Sequence, residues 1–103
     1  MLPKQITDED LLAVIDKGLD ALGSSAKQAL WYYLQKDFNF QPQSVPKNIN
    51  DFQQALQKFF GIGYSFLDTL FKKYLQEVTG EQFSKDKSFA ECVITLYSNK
   101  IIT

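Results

Sequence analysis

Three carboxylates stand where acid or base chemistry is conceivable: Asp16 and Asp20, four residues apart and therefore on one face of a helix, and Glu77. Around them the menu is short. The chain has no His, and its 11 basic residues are all Lys. Without His there is no Ser-His or Cys-His nucleophile pair, no His-ligated zinc and no side chain that ordinarily titrates near neutral pH. Without Arg there is no planar fork to grip carboxylate or phosphate bidentately. A single cysteine, Cys92, forms neither an intrachain disulfide nor a multi-cysteine metal site, and reads as a small buried hydrophobe on a helix. No catalytic residue, cofactor site or metal site is assigned, and the expectation is a chain that is not an enzyme.

Aromatic residues are the feature in excess, at 15% of the chain. Trp31 and Tyr32 fall at least partly off the apolar stripe of their helix, and Phe38 and Phe40 follow in a segment without helical period. Aromatic side chains dominate interface hot spots, so Trp31, Tyr32, Phe38 and Phe40 are the candidate contacts for a protein partner or a second copy. The bland reading is that they pack inward.

These residues must be positioned by helices. With 103 residues and 45% hydrophobic content, the chain fits one helical domain, 1–103, and buries a core without metal or disulfide support. The expected class is all-α: a compact bundle of about five helices with a long Phe/Pro connector between the second and the third. Thr7-Asp8-Glu9-Asp10 starts the first helix, whose stripe of Leu11, Leu12, Val14, Ile15, Leu19 and Leu22 ends at Gly23. Gly23-Ser24-Ser25 breaks and recaps, and the second helix runs from about Ser25 to Lys36 with Ala26, Ala29, Leu30, Tyr33 and Leu34 inward. Residues 37 to 47, with Pro42 and Pro46, exclude a regular helix and fold Phe38 and Phe40 back onto the bundle. Asn48 caps the third helix, which buries Phe52, Ala55, Leu56, Phe59 and Phe60.

Gly61-Ile62-Gly63 reads as a tight corner that lets helices approach closely; it lacks the remaining residues of a phosphate loop. It launches the central helix, Tyr64 to about Val78. There Phe66, Leu67, Leu70, Phe71, Tyr74, Leu75 and Val78 form a wide apolar arc opposite Ser65, Asp68, Thr69, Lys72, Lys73 and Gln76. Asp68 and Lys72 sit four apart in the favourable order for an ion pair on a solvated face. Thr79-Gly80 closes this helix, and a polar connector from Glu81 to Lys87 follows. The capping box Ser88 to Glu91 opens a fifth helix, about 88–98, and Ile101-Ile102-Thr103 dock or fray.

Gly18-Leu19-Asp20-Ala21-Leu22-Gly23, Leu30 with Tyr33-Leu34, Pro46 with Asn48, Phe52 with Ala55-Leu56, and Phe60-Gly61-Ile62-Gly63 resemble a small archaeal all-helical family. Its members occur as stand-alone chains and as domains assigned as outputs of signalling proteins. The resemblance spans Gly18 to Val78, about three-fifths of the chain, and leaves out Glu81 to Thr103. It implies an interaction or output role and carries over no catalytic or ligand residue.

A non-catalytic interaction module is therefore expected, binding a protein partner or itself. The alternative is a DNA-binding transcriptional regulator, because residues 18–36 resemble the entry of a helix-turn-helix. The net charge of -1, the missing Arg and the lack of a basic recognition helix disfavour nucleic acid. No apolar run reaches the length of a membrane span, and Met1 to Gln5 has no signal-peptide core, so the expected location is cytoplasmic.

Overall fold

In the computed structural model, residues 6–102 are described, and they form five α-helices and no strand. The helices are α1 (Asp8–Asp20), α2 (Ser24–Phe38), α3 (Ile49–Phe60), α4 (Tyr64–Thr79) and α5 (Phe89–Ile102). Short 3-10 turns, Pro42–Ser44, Pro46–Asn48 and Gly61–Gly63, lie between them. The all-α class expected from the periodicities holds, in a body of 41 × 23 × 22 Å.

The architecture grows from α4. Leu67, Phe71 and Leu75 repeat every four residues and are buried, and α1 lies along them in the most extensive helix pair of the fold. Leu11, Val14, Ile15 and Leu19 are the matching stripe of α1. Gly18 makes the approach feasible: a Cβ built there would overlap Cδ1 and Cε1 of the Phe71 ring, which itself packs on Phe89 of α5 at 4.9 Å between centroids. Phe52, Ala55 and Leu56 from α3, Leu30 and Leu34 from α2, and Phe89, Ala90, Cys92 and Val93 from α5 join the same contiguous core.

Capping fixes where α1 and α5 begin. Thr7 Oγ1 accepts from Asp10 N–H at 3.0 Å while Asp10 Oδ2 accepts from Thr7 N–H at 3.2 Å. Ser88 and Glu91 reciprocate in the same way at the start of α5. Two further acceptors come from far along the chain: Asp68 Oδ1 takes Phe89 N–H at 2.8 Å, and Gln53 Oε1 takes Ala90 N–H at 3.0 Å. The first turn of α5 is thus satisfied by α3 and α4 as well as by its own box.

Several boundaries differ from expectation. α1 ends at Asp20, and Gly23, at φ +88°, serves as the N-cap of α2 without a side-chain bond from either serine. α2 continues to Phe38 and closes on Asn39, whose φ of +55° is left-handed. Asn48 occupies the N-cap of α3, yet its Nδ2 donates backward to Ser44 O at 3.1 Å, so it makes no cap bond. The 37–47 segment holds two 3-10 turns begun by Pro42 and Pro46, and it does send aromatic mass inward: Phe40 is buried and Phe38 meets Tyr33 edge-on. α5 runs past the expected 98 to Ile102. The lead Met1 to Gln5 and Thr103 lie outside the described residues, as do the side chains of residues 99–102.

The supposed solvated face of α4 is partly covered. Asp68 caps α5, and the Lys72 ammonium donates to Ser84 O at 2.8 Å and Lys87 O at 2.6 Å, strapping the 81–88 connector onto α4. Spacing of four predicted a local Asp68 to Lys72 pair; both side chains serve distant backbone instead. Conversely, Phe66, expected in the buried arc, is 58% exposed.

Candidate functional site

The candidate carboxylates are held in ion pairs. Lys27 Nζ reaches from α2 to the side chains of both Asp16 and Asp20 on α1, at 2.7 Å from Asp20. These hydrogen bonds, Asp16's first, hold the Lys27 ammonium above its ordinary range. Glu77 pairs separately with Lys17 at 3.5 Å. The three acids do not converge, and among the described residues no cluster of three Cys, Asp or Glu is arranged to hold a metal ion.

Buried titratable groups have structural partners. Tyr64 donates its hydroxyl to Gln53 Oε1 at 3.2 Å, and burial, followed by the nearby Asp68 carboxylate, pushes its phenol above the ordinary value. Tyr97 donates to Asp8 Oδ1 at 2.6 Å, tying α5 to the first turn of α1, and burial again raises its phenol. Cys92 is buried in α5 as expected, and burial raises its thiol, the opposite of what a reactive cysteine needs.

The four candidate contact aromatics separate. Tyr32 stands 64% exposed on α2. Trp31 is half-buried, stacked on Phe52 at 6.2 Å. Phe38 is half-buried against Tyr33. Phe40 is in the core beside Phe52, so it offers no surface, because the connector turns back across the bundle at Asn39. Ala26 and Ala29, expected to be buried, are both exposed, leaving Leu30 and Leu34 as the residues that α2 buries.

The more conspicuous apolar surface is at the corner where α3 passes into α4. Gly61 turns the chain with φ +59° and ψ -133°, a conformation essentially reserved for glycine. The turn pushes Ile62 out to 97% exposure, with Phe59 at 42% on the preceding helix and Phe66 at 58% on the next. Phe59 also touches Tyr33 at 4.8 Å, joining the corner to the Tyr33 and Phe38 pair. Beside Ile62 opens a groove of about 580 Å³ whose walls include Gln57, Ser65, Asp68, Lys87 and Glu91. Gly63 has an ordinary φ of -65° and no neighbour nearer than Phe60 Cβ at 3.9 Å, so the glycines of this corner do not serve close helix approach; Gly18 does. The sequence carries a signal for this corner, a large hydrophobe between two glycines, but that pattern by itself specifies only a turn.

The helix-turn-helix-like stretch, 18–36, comprises the last residues of α1, a short turn and most of α2. Of the two lysines on α2, Lys27 is engaged by Asp16 and Asp20, which leaves Lys36 as the cation of its outer face. No described helix is long and apolar enough to cross a membrane. Comparison with known protein-family models, curated proteins and solved structures gave no match.

Proposed function

We propose that this chain is a non-catalytic helical module that works by binding another protein or a second copy of itself. The observation carrying this reading is the corner: three large hydrophobic side chains, Phe59, Ile62 and Phe66, held at the surface by a glycine-dependent turn next to a mixed polar groove. Exposing them works against burial by about 25 cal/mol for each Å² of apolar surface, and large hydrophobic side chains exposed close together along the chain point to an interaction site. The backbone at Gly61 makes the exposure a built feature, since the turn presents the side chain at position 62 whatever it is. The separation of Asp16, Asp20 and Glu77 into ion pairs supports the non-catalytic part. An output role in signalling, suggested by the resemblance over Gly18 to Val78, belongs to this same proposal, as does a cytoplasmic location.

The test is site-specific photo-crosslinking with a photoreactive aromatic at position 62 in native lysate. A discrete adduct that disappears when Phe66→Asp is added is the expected result. Irradiation that yields no discrete adduct, from a chain that circular dichroism shows to be folded, would remove the corner as a docking surface.

A further inference from the structure

The outer face of α2 has a composition unlike the other helices. Ser25, Gln28, Ala29, Tyr32 and Gln35 are all exposed and none is charged, whereas the exposed positions of α1 include Asp8, Glu9, Asp16, Lys17 and Asp20. The spacing of these five residues, by three and four, makes a continuous seam along one side of the helix. Depletion of charge around an exposed aromatic is the composition of an interface core. Small side chains at Ser25 and Ala29 leave room for another backbone to come near, and Trp31, Gln28 and Asp20 wall a groove of about 420 Å³ beside Tyr32.

Opposite charges stand near the two ends of the seam: Asp20 flanks its start, walling the same groove as Gln28 and Tyr32, and Lys36 lies on it at the far end. At the start of α2, one ammonium, Lys27, faces two carboxylates, Asp16 and Asp20, whose side chains remain 58% and 62% exposed. Two carboxylates against one ammonium leave that corner with a formal charge of -1, on side chains open to solvent. At the other end stands Lys36, lying over its own Tyr32 ring at 5.6 Å. Asp37, the next residue, is turned off this face by the helical step of about 100°. A surface that is acidic at one end, neutral in the middle and basic at the other is the complement of itself when reversed.

We propose that this face is where two copies of the chain meet, α2 against α2 in antiparallel fashion about a two-fold axis passing between residues 30 and 31. In an isologous contact each pairing occurs twice. This axis sets Tyr32 of each copy on the small Ala29 of the other, and brings Lys36 of each copy over Ser25 of the other, within a lysine's reach of the Asp20 corner. A single register satisfies the large-to-small packing and the charge pairing together, which selects a second copy over an unrelated partner. The assignment rests on the reading of the chain as an interaction module and gives one of its surfaces an occupant. Because one helix face buries less than the roughly 800 Å² per partner of a standard interface, the dimer is weak and concentration-dependent.

Sedimentation velocity from about 10 μM to about 1 mM, across the range where weak association is populated, should show a monomer-dimer equilibrium. Ala29→Arg should weaken it by about tenfold or more, with the circular dichroism unchanged because Ala29 is exposed. The register is tested by charge: Lys36→Glu and Asp20→Lys should each weaken self-association, and mixing the two variants should restore a dimer, because in the mixed pair both contacts join opposite charges. Asp16 still holds Lys27 in the Asp20→Lys chain, which keeps that corner folded. A wild-type chain that stays monomeric to about 1 mM, a dimer indifferent to Ala29→Arg, or a mixture no tighter than its components would each overturn the proposal. The corner-directed crosslink at position 62 uses none of the seam residues of α2, so a monomer that still crosslinks there refutes this dimer while leaving the interaction-module reading standing.

Discussion

Adding one methyl group at Gly18 tests the α1 to α4 contact on which the fold depends. The position is helical and buried, so glycine is there against its propensity, and Gly18→Ala would gain about 1 kcal/mol of helix preference if nothing else changed. The new Cβ, however, would sit inside the ring of Phe71, and that ring cannot withdraw: it is fully buried and backed by Phe89 at 4.9 Å. Overpacking of this kind costs about 1 to 3 kcal/mol, and an overlap with two ring carbons belongs at the upper end. The net expectation is a loss of about 1 to 2 kcal/mol, or a fall in Tm of roughly 5 to 15 °C for a domain of this size. Urea unfolding followed by far-UV circular dichroism measures it. The cause is isolated by repeating the change in a Phe71→Leu background, where the obstructing ring edge is gone and Gly18→Ala should be neutral or stabilising by up to about 1 kcal/mol, a coupling of about 2 kcal/mol between the sites. Gly63→Ala serves as the control, because Gly63 has ordinary φ and no neighbour nearer than Phe60 Cβ at 3.9 Å. If Gly18→Ala stabilises the wild-type chain as much as the Phe71→Leu chain, α1 does not approach the Phe71 ring closely at Gly18.

Two other expectations follow from the hydrogen bonds and titrating groups. Asp68→Ala removes the acceptor for Phe89 N–H, and should cost about 1 to 2 kcal/mol while accelerating amide exchange in the first turn of α5 more than in α1; uniform acceleration would mean that the bond at 2.8 Å does not hold α5 specifically. Stability should fall as pH rises above about 10. Tyr64 and Tyr97 keep their protons in the folded chain past the ordinary tyrosine value of 10.0, as Lys27 does past 10.5, so the unfolded state releases protons first and is favoured by alkali. Tyr64→Phe should reduce the steepness of that fall by up to about 1.4 kcal/mol per pH unit, the share of one proton; an unaltered slope would show that Tyr64 does not titrate differently in the two states.

What could be read without the structure was what neighbours in sequence decide. The box at Ser88 and Glu91 needs only a three-residue spacing and formed, and the Thr7 hydroxyl caps α1 as its position before the acidic run suggests, with Asp10 adding a return bond to Thr7 N–H. The α1 stripe, dense in Leu, Val and Ile, named its own core face. α2 was misjudged because Ala26 and Ala29 carry too little apolar surface to decide which way a helix turns; Leu30 and Leu34 decided it, and the alanines went outside. Phe66 was misjudged because an arc wide enough for several partners exceeded what α1, α3 and α5 cover near that end of α4. Asp68 and Lys72 show the other limit: a spacing of four offers each a nearby partner, but acceptors and donors 12 to 21 residues away won, and no local pattern records them. Of the candidate contact residues, Tyr32 was placed on the surface as read, whereas the fate of Phe40 depended on a left-handed turn at Asn39.

The strap from Lys72 has an evolutionary corollary. Its ammonium grips the main-chain oxygens of Ser84 and Lys87 and no side chain of the connector. Every residue type supplies such an oxygen, so selection at Lys85 and Asp86, both exposed and between the two anchor points, is free to drift toward whatever a binding role demands. Length is not free in the same way, since an inserted residue would move one oxygen out of reach of a single ammonium. Relatives of this chain should therefore vary in the spelling of this segment while keeping its number of residues and a lysine at the position of Lys72.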